Sequence, residues 1–171
     1  MGEGQRTLKA TGRQYERGSI AIEAAIVLPI LLLFLGLPSV LYAFYFRQYT
    51  AVQKAAHDAA IYLSTAPRVE TATAGPDGNF AALTLAKRII AKELAGIVPD
   101  GTSFDPFITC YYRVGTATKG NACTPTIAKL PTNTLFQFDV AVNVPFINPL
   151  TGSAVDSMYM SPVVTVRYLG N

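Results

Sequence analysis

Between Glu23 and Arg47 the chain carries no charged residue. As a helix this run, Ala24 to Phe46, rises about 35 Å, enough to cross a hydrocarbon core of roughly 30 Å with some tilt. Inside a bilayer a single segment can satisfy its backbone only by coiling into a helix, so the run is read as a transmembrane helix. Tyr42, Phe44, Tyr45, Phe46 and Tyr49 cluster at its far end, where amphipathic rings favour the headgroup level. Upstream, Arg6, Lys9, Arg13 and Arg17 outnumber Glu3 and Glu16, which predicts a cytoplasmic N-terminus and an exported C-terminal part. A removable secretory signal fits less well, because Leu41-Tyr42-Ala43 places a bulky residue where a small one is wanted for cutting.

The chain has 171 residues, half of them hydrophobic and 15% charged. Beyond the membrane segment this leaves room for one modest compact domain. The net charge of +3 is spread along the chain, which argues against a nucleic-acid partner, since that needs basic residues gathered on one face.

Met1 to Gly18 is polar and basic without a helical or strand period, and reads as a leader or cytoplasmic tail. From about Ser19 the helix is expected to run through the membrane and on to about Ala66, where Pro67 stops it. In its second half Val52, Ala56, Ala59, Ala60 and Leu63 recur at helical spacing. Ala51, Ala55 and Ala59 form a stripe of small residues that another helix can approach closely. Pro29 and Pro38 each remove a backbone hydrogen bond, and Pro38 lies beside Gly36 and Ser39. A kink or locally unwound turn is expected over Gly36 to Ser39.

AGPDGN, Ala74 to Asn79, marks a loop. Phe80 to Gly96 reads as an amphipathic helix with Leu83, Ala86, Ile90 and Leu94 near one face. Three strand candidates follow, Phe107–Val114, Leu135–Phe146 and Pro162–Leu169. In the second, Phe136, Phe138, Val140, Val142, Val144 and Phe146 alternate with mostly polar neighbours. One buried face per strand predicts a small antiparallel sheet packed on the second helix. The expected fold class is α+β: a long N-terminal transmembrane helix as stalk, then a small extracytoplasmic head of one helix and an antiparallel sheet. The expected divisions are 1–18 leader, 19–66 anchor and stalk, and 67–171 head.

Cys110 and Cys123 flank a polar, turn-rich segment. In an exported head a disulfide is the natural reading, and closing such a loop stabilises by about 3 kcal/mol in the chain-entropy model; two free structural thiols are the next alternative. There is no CxxC pair, and two cysteines with the single distant His57 do not make a zinc site. His57 and Asp58 are adjacent on a helix and do not face each other as a base and its orienter. No nucleophile elbow, phosphate-cradling glycine loop or carboxylate cluster is present in the sequence. The chain is expected to be no enzyme and to need no cofactor or metal.

Gly18, Ser19 and Glu23 remain. A carboxylate within a membrane segment costs a few kcal/mol unless it is paired or reaches water at the boundary. Here a short basic leader is followed by a glycine directly before the apolar run, a small residue after it, and a carboxylate at the fifth position beyond the glycine. That pattern resembles the type IV pilin signal. The stretch RGSIAIEAAIVLPILLLFLG, with its tyrosine-rich exit and the alanine-rich KAAHDAAIYL, resembles the TadE-like family, minor pseudopilins of the bacterial tight adherence (Tad) pilus, a type IV filament branch. The resemblance runs from Arg17 to Ala66 and says little about the head.

It implies cutting between Gly18 and Ser19 by a prepilin peptidase on the cytoplasmic face, with the helix kept as a single-pass anchor in the bacterial inner membrane. The implied partners are that peptidase, other pilin and pseudopilin subunits, the inner-membrane assembly platform and the lipid bilayer. Glu23 is implied to set subunit register, by facing the Ser19 amine of a neighbour. Gly36 and Pro38 are read as a soft point that lets the helix bend on leaving lipid. Ala24 stands where major pilins of this branch often have tyrosine, and the head is too long for the very short major pilin, so a minor subunit is expected. The alternative is an uncleaved single-pass scaffold of a pilus or secretion machine, with a head that binds partners.

Overall fold

The computed structural model describes residues 11–99, 102, 104–125 and 133–170, without the side chains of 11–19, 133 and 156. Residues 1–10 of the expected leader lie outside them. In chain order the elements are α1 (Thr11–Thr65), α2 (Arg68–Ala72), α3 (Ala81–Leu94), β1 (Asp105–Val114), β2 (Ala117–Asn121), β3 (Asn133–Ile147), β4 (Ala154–Met160) and β5 (Val163–Arg167). The chain divides into two compact units, one through Ala43 and one from Phe44 onward.

The first unit is the N-terminal part of α1. The helix is already formed at Thr11, well before the expected start near Ser19. Once an apolar helix is nucleated, propagation adds one hydrogen bond per residue fixed, and Arg13, Gln14, Glu16 and Arg17 are good helix formers with no proline among them. The unwound turn expected at Gly36 to Ser39 is not present: these residues are helical throughout. Ser39 instead donates its hydroxyl to the Leu35 carbonyl at 2.6 Å, the back-bond that hydroxyl side chains make inside helices.

In the second unit the C-terminal half of α1 is core. Val52, Ala55, Ala56, Ala59, Ala60 and Leu63 are fully buried and share one apolar cluster with Phe80, Ala86, Ile90, Cys110, Tyr112, Phe138, Val140 and Val142. Their spacing follows one helical face. The compact unit therefore includes the stretch that the sequence assigns to a stalk. The alanine stripe expected to receive another helix is correspondingly taken up within the head, since Ala55 and Ala59 are fully buried there.

Two ties hold this half-helix in place. Near its start Gln48 bonds the end of β3. At its end the Tyr168 hydroxyl donates to the Ala66 carbonyl at 3.1 Å and the Leu169 N–H to the Ser64 carbonyl at 2.9 Å. Those carbonyls belong to the last turn, which has no intrahelical donor to offer them.

The sheet is antiparallel and built around β3, which pairs with β1, with β5 and, at its C-terminal end, with β4. Ile108, Val140 and Val164 form one cross-strand row and Cys110, Phe138 and Val166 the next. On β3, Phe138, Val140, Val142 and Val144 are fully buried, as the alternation requires. The pattern fails at both ends of the strand. Phe136 is only half-buried, with the Arg113 guanidinium 5.3 Å from its ring centre. Pro145 is buried beside a register shift between Pro145 and Phe146. The expected second helix is α3, with Leu83, Ala86, Ile90 and Leu94 buried, and Gly96 at φ 85° turns the chain out of it.

β2 and β4 are additional to the expected strands, and α2 to the expected helices. The segment after Cys110 continues β1 to Val114, turns at Gly115 and Thr116, and returns as β2. Gly115 has φ 61° and Thr116 does not have a positive φ, the pattern of a two-residue type II′ hairpin turn. Just beyond β2, Cys123 is bonded to Cys110 with their Cα atoms 5.2 Å apart. The disulfide thus closes the open end of that hairpin.

The buried alanines yield a test. Ala59→Leu adds bulk to a filled core and is expected to destabilise the head by about 1 to 3 kcal/mol, read as a lower unfolding midpoint in detergent. Unchanged stability, with a defect only in association with other chains, would show that the stripe serves contacts outside the head.

Candidate functional site

Of the residues singled out by sequence, Gly18, Ser19, Glu23, Gly36, Pro38 and His57 fall on α1, and Cys110 and Cys123 lie in the sheet region. Gly18 and Ser19 lie within its helical span, and their side chains are outside the described residues. Glu23 is exposed on a surface formed by Ile20, Ile22, Ile26 and Val27, each more than half exposed. The apolar exposure continues without a buried residue through Leu37 to Val40. α1 is long and apolar enough to cross a membrane, and none of its apolar window is buried within the chain. A continuous apolar surface of this extent is not what a soluble monomer presents. Its natural surroundings are lipid or the apolar helices of other chains.

Within that surface Gly36 has nothing within 4 Å of where a Cβ would stand. Packing inside the chain therefore does not demand glycine there. Pro38 leaves the Phe34 carbonyl without its usual intrahelical donor, and the Ser39 hydroxyl draws on the Leu35 carbonyl one residue further. Hydrogen bonding is thinned at this point while the helix stays intact.

The changeover from exposed to buried helix occurs at Tyr45 to Tyr49. Tyr45 stacks on Tyr49 with ring centres 6.3 Å apart and meets Phe146 at 5.7 Å. Gln48 is buried. Its Nε2 donates to the Ile147 carbonyl at 2.7 Å, and its Oε1 accepts from the Ile147 N–H at 3.0 Å. The side-chain amide thus pairs with the end of β3 as another strand would, satisfying both polar groups of a buried residue. Sequence reading missed Gln48. The only signal was a neutral amide at the start of a helix face about to turn inward, and its partner lies 99 residues away.

The other candidates are structural. His57 is well exposed, and its Nδ1 is 3.8 Å from Asp58 Oδ1, too far for a hydrogen bond. Asp58 instead joins Lys54 at 3.0 Å, and Lys54 reaches Glu93 on α3 at 2.5 Å. This is a solvent-exposed ion-pair cluster, and such pairs contribute little to stability. Cys110 and Cys123 are buried in their disulfide. Among the described residues no three histidine, cysteine, aspartate or glutamate side chains gather as a metal site.

Gln48→Ala leaves both polar groups of Ile147 buried without partners, and is expected to lower the stability of the head by about 2 kcal/mol or more. Thermal or urea unfolding of the detergent-solubilised chain measures this. An unchanged midpoint would show that the amide pairing contributes nothing.

No curated protein and no solved structure matches the chain. Residues 18–60, from the glycine of the signal pattern through the exposed apolar run to Ala60 in the head core, match the family described as TadE-like protein.

Proposed function

We propose that the chain is a minor pseudopilin taking part in assembly of a Tad-type pilus. The observation that carries this is the TadE-like match over residues 18–60, which begins at Gly18 and encloses an exposed apolar helix with one carboxylate near its start. The match associates this segment with Tad pilus systems; the processing and the subunit role are the further reading.

In that reading the chain spans the bacterial inner membrane once. The basic flank at Arg13 and Arg17 keeps the N-terminus cytoplasmic, and the head is extracytoplasmic. A disulfide-bonded head fits an oxidising compartment. A prepilin peptidase cuts between Gly18 and Ser19, freeing an α-amine that is positive at neutral pH. When subunits pack side by side with an axial stagger, the Glu23 carboxylate of one faces the Ser19 amine of the next. Each charge is costly alone in hydrocarbon, and removing one leaves the other unpaired, which is the expensive case. The pair fixes register more than it adds stability.

Gly36 and Pro38 give the intact helix a place to bend or unwind when it moves from lipid into a filament, since its hydrogen bonding is already thinned there. The partners in this account are the peptidase, neighbouring pilin and pseudopilin subunits and the inner-membrane assembly platform. The buried alanines of α1 serve the head, so contacts with those neighbours fall to the exposed surface of α1 from Ile20 to Val40 and to the outside of the head.

Intact mass and N-terminal sequence of the chain from bacterial membranes, with and without a prepilin peptidase and with Gly18→Leu as control, test the processing. A peptidase-dependent product starting at Ser19 is expected. A chain still starting at Met1 in both strains would instead describe an uncleaved single-pass scaffold. Where cutting occurs, Glu23→Ala is expected to leave cleavage intact and reduce pilus yield by at least about tenfold. Normal assembly would remove Glu23 from the account. Pro38→Ala is expected to leave the anchor inserted and lower pilus yield, and wild-type yield would dismiss the bending role.

A further inference from the structure

We propose that the β3–β4 turn, Asn148 to Ser153, is a second membrane contact that sets Leu150 into the headgroup region of the leaflet through which α1 leaves. The inference rests on the reading of Ala24–Phe46 as the spanning segment and adds a lipid-binding surface on the head. Its starting point is the Gln48 pairing, which fixes the last residue of β3 to the helix one position beyond Arg47. Arg47 is the first charge after the uncharged run. The turn begins at the next residue after Ile147, and with Phe44, Arg47 and Ile97 it lines a cavity of about 250 Å³. The turn and the membrane exit of the helix therefore stand at the same level.

The chemistry of the turn suits an interface. Backbone groups bonded within a turn lower the cost of pressing it toward the acyl boundary of the interface. Here the Asn148 N–H donates to the Ser153 carbonyl at 2.9 Å and the Gly152 N–H to the Asn148 carbonyl at 2.8 Å. The Leu150 N–H donates to Asn148 Oδ1 at 2.9 Å. The turn is closed on itself, with Gly152 at φ 67° allowing the reversal. What it shows outward is Leu150, 70% exposed, next to Pro149.

A single exposed leucine is ordinary on a protein surface. This one stands out by its level. Arg47 is also exposed there and supplies a cation for lipid phosphates. An apolar tip beside a basic residue is the composition of segments that lie in the interface. Val69 on α2 is a matched contrast: it is 65% exposed but lies past the end of α1, and Arg47 to Thr65 spans about 27 Å of helix.

The full chain carries two cysteines, and both are in the disulfide, so Leu150→Cys or Val69→Cys takes one environment-sensitive fluorophore. Each labelled chain is reconstituted in phosphatidylethanolamine–phosphatidylglycerol vesicles and challenged with a headgroup-nitroxide lipid and with aqueous iodide. The probe at 150 is expected to emit further to the blue, and nitroxide quenching there to be at least about threefold stronger than at 69, with iodide access reversed. Equal iodide access at the two sites without nitroxide quenching would overturn the proposal. Equal nitroxide quenching at both sites would also overturn it, since no particular turn would then be selected. Alkaline carbonate extraction of the same vesicles separates the two readings. Release of the chain would overturn the spanning segment and this contact with it, whereas a retained chain with a water-exposed probe at 150 overturns the contact alone.

Discussion

One helix has to satisfy two different surroundings, and the rest of the structure follows from where it changes between them. From Ile20 to Val40 the large side chains of α1 stand exposed and apolar, with Glu23 the one charge among them; from Val52 to Leu63 one face is sealed in the head. An amide side chain at the changeover, Gln48, closes the end of β3 against the helix. The small sheet has one long central strand, β3. A sheet of this size needs an apolar layer against it to be stable in water, and α1 and α3 contribute residues to that layer. The head's core is thus completed by the same element that supplies the anchor.

This arrangement bears on how the TadE-like segment is understood. The matched residues 18–60 end at Ala60, among fully buried head residues. The match therefore reaches past the exposed apolar run into the core that α1 shares with α3, β1 and β3. Substitutions on the inner face of this stretch are expected to act through folding, and those on the outer face through whatever the exposed surface meets. Burial separates them at their extremes: Ala55 and Ala59 belong to the first, Glu23 to the second.

Much of this could be read from residue order, and the failures have specific causes. The long apolar part of α1, α3, β1, β3 and β5 each announce themselves by an unbroken apolar stretch or a clear period. β2 does not, because every one of its residues is exposed and it has no apolar face to alternate. β4 pairs across an irregular register with β3, so its residues do not keep a two-residue period. The helical period at Val52 to Leu63 marks a buried face, yet periodicity cannot say what covers it, and the small-residue stripe says only that another helix can approach closely. Pro38 and Gly36 predict a kink or an unwound turn; the unwound turn is absent, since residues 36–39 stay helical and a proline removes only one backbone donor from the ladder. Of the candidate site, Glu23 stands out in the sequence as a charge beside a long uncharged apolar run, whereas Gly18 and Ser19 draw meaning only from the family resemblance. Gln48 was invisible because its role depends on a backbone group far along the chain.

The central claim is that Val52 to Leu63 belong to the folding unit of the head. Native-state hydrogen–deuterium exchange on the full chain in nanodiscs tests it directly. Cooperative units exchange together with the free energy of their common opening. The account predicts that amides of residues 52–63 are protected to within about tenfold of those in β1 and β3, and that all lose protection together in mild denaturant. If residues 52–63 exchanged far faster than the central strands, or kept their protection after the strands had lost theirs, the helix would be an independent stalk and the claim would fail.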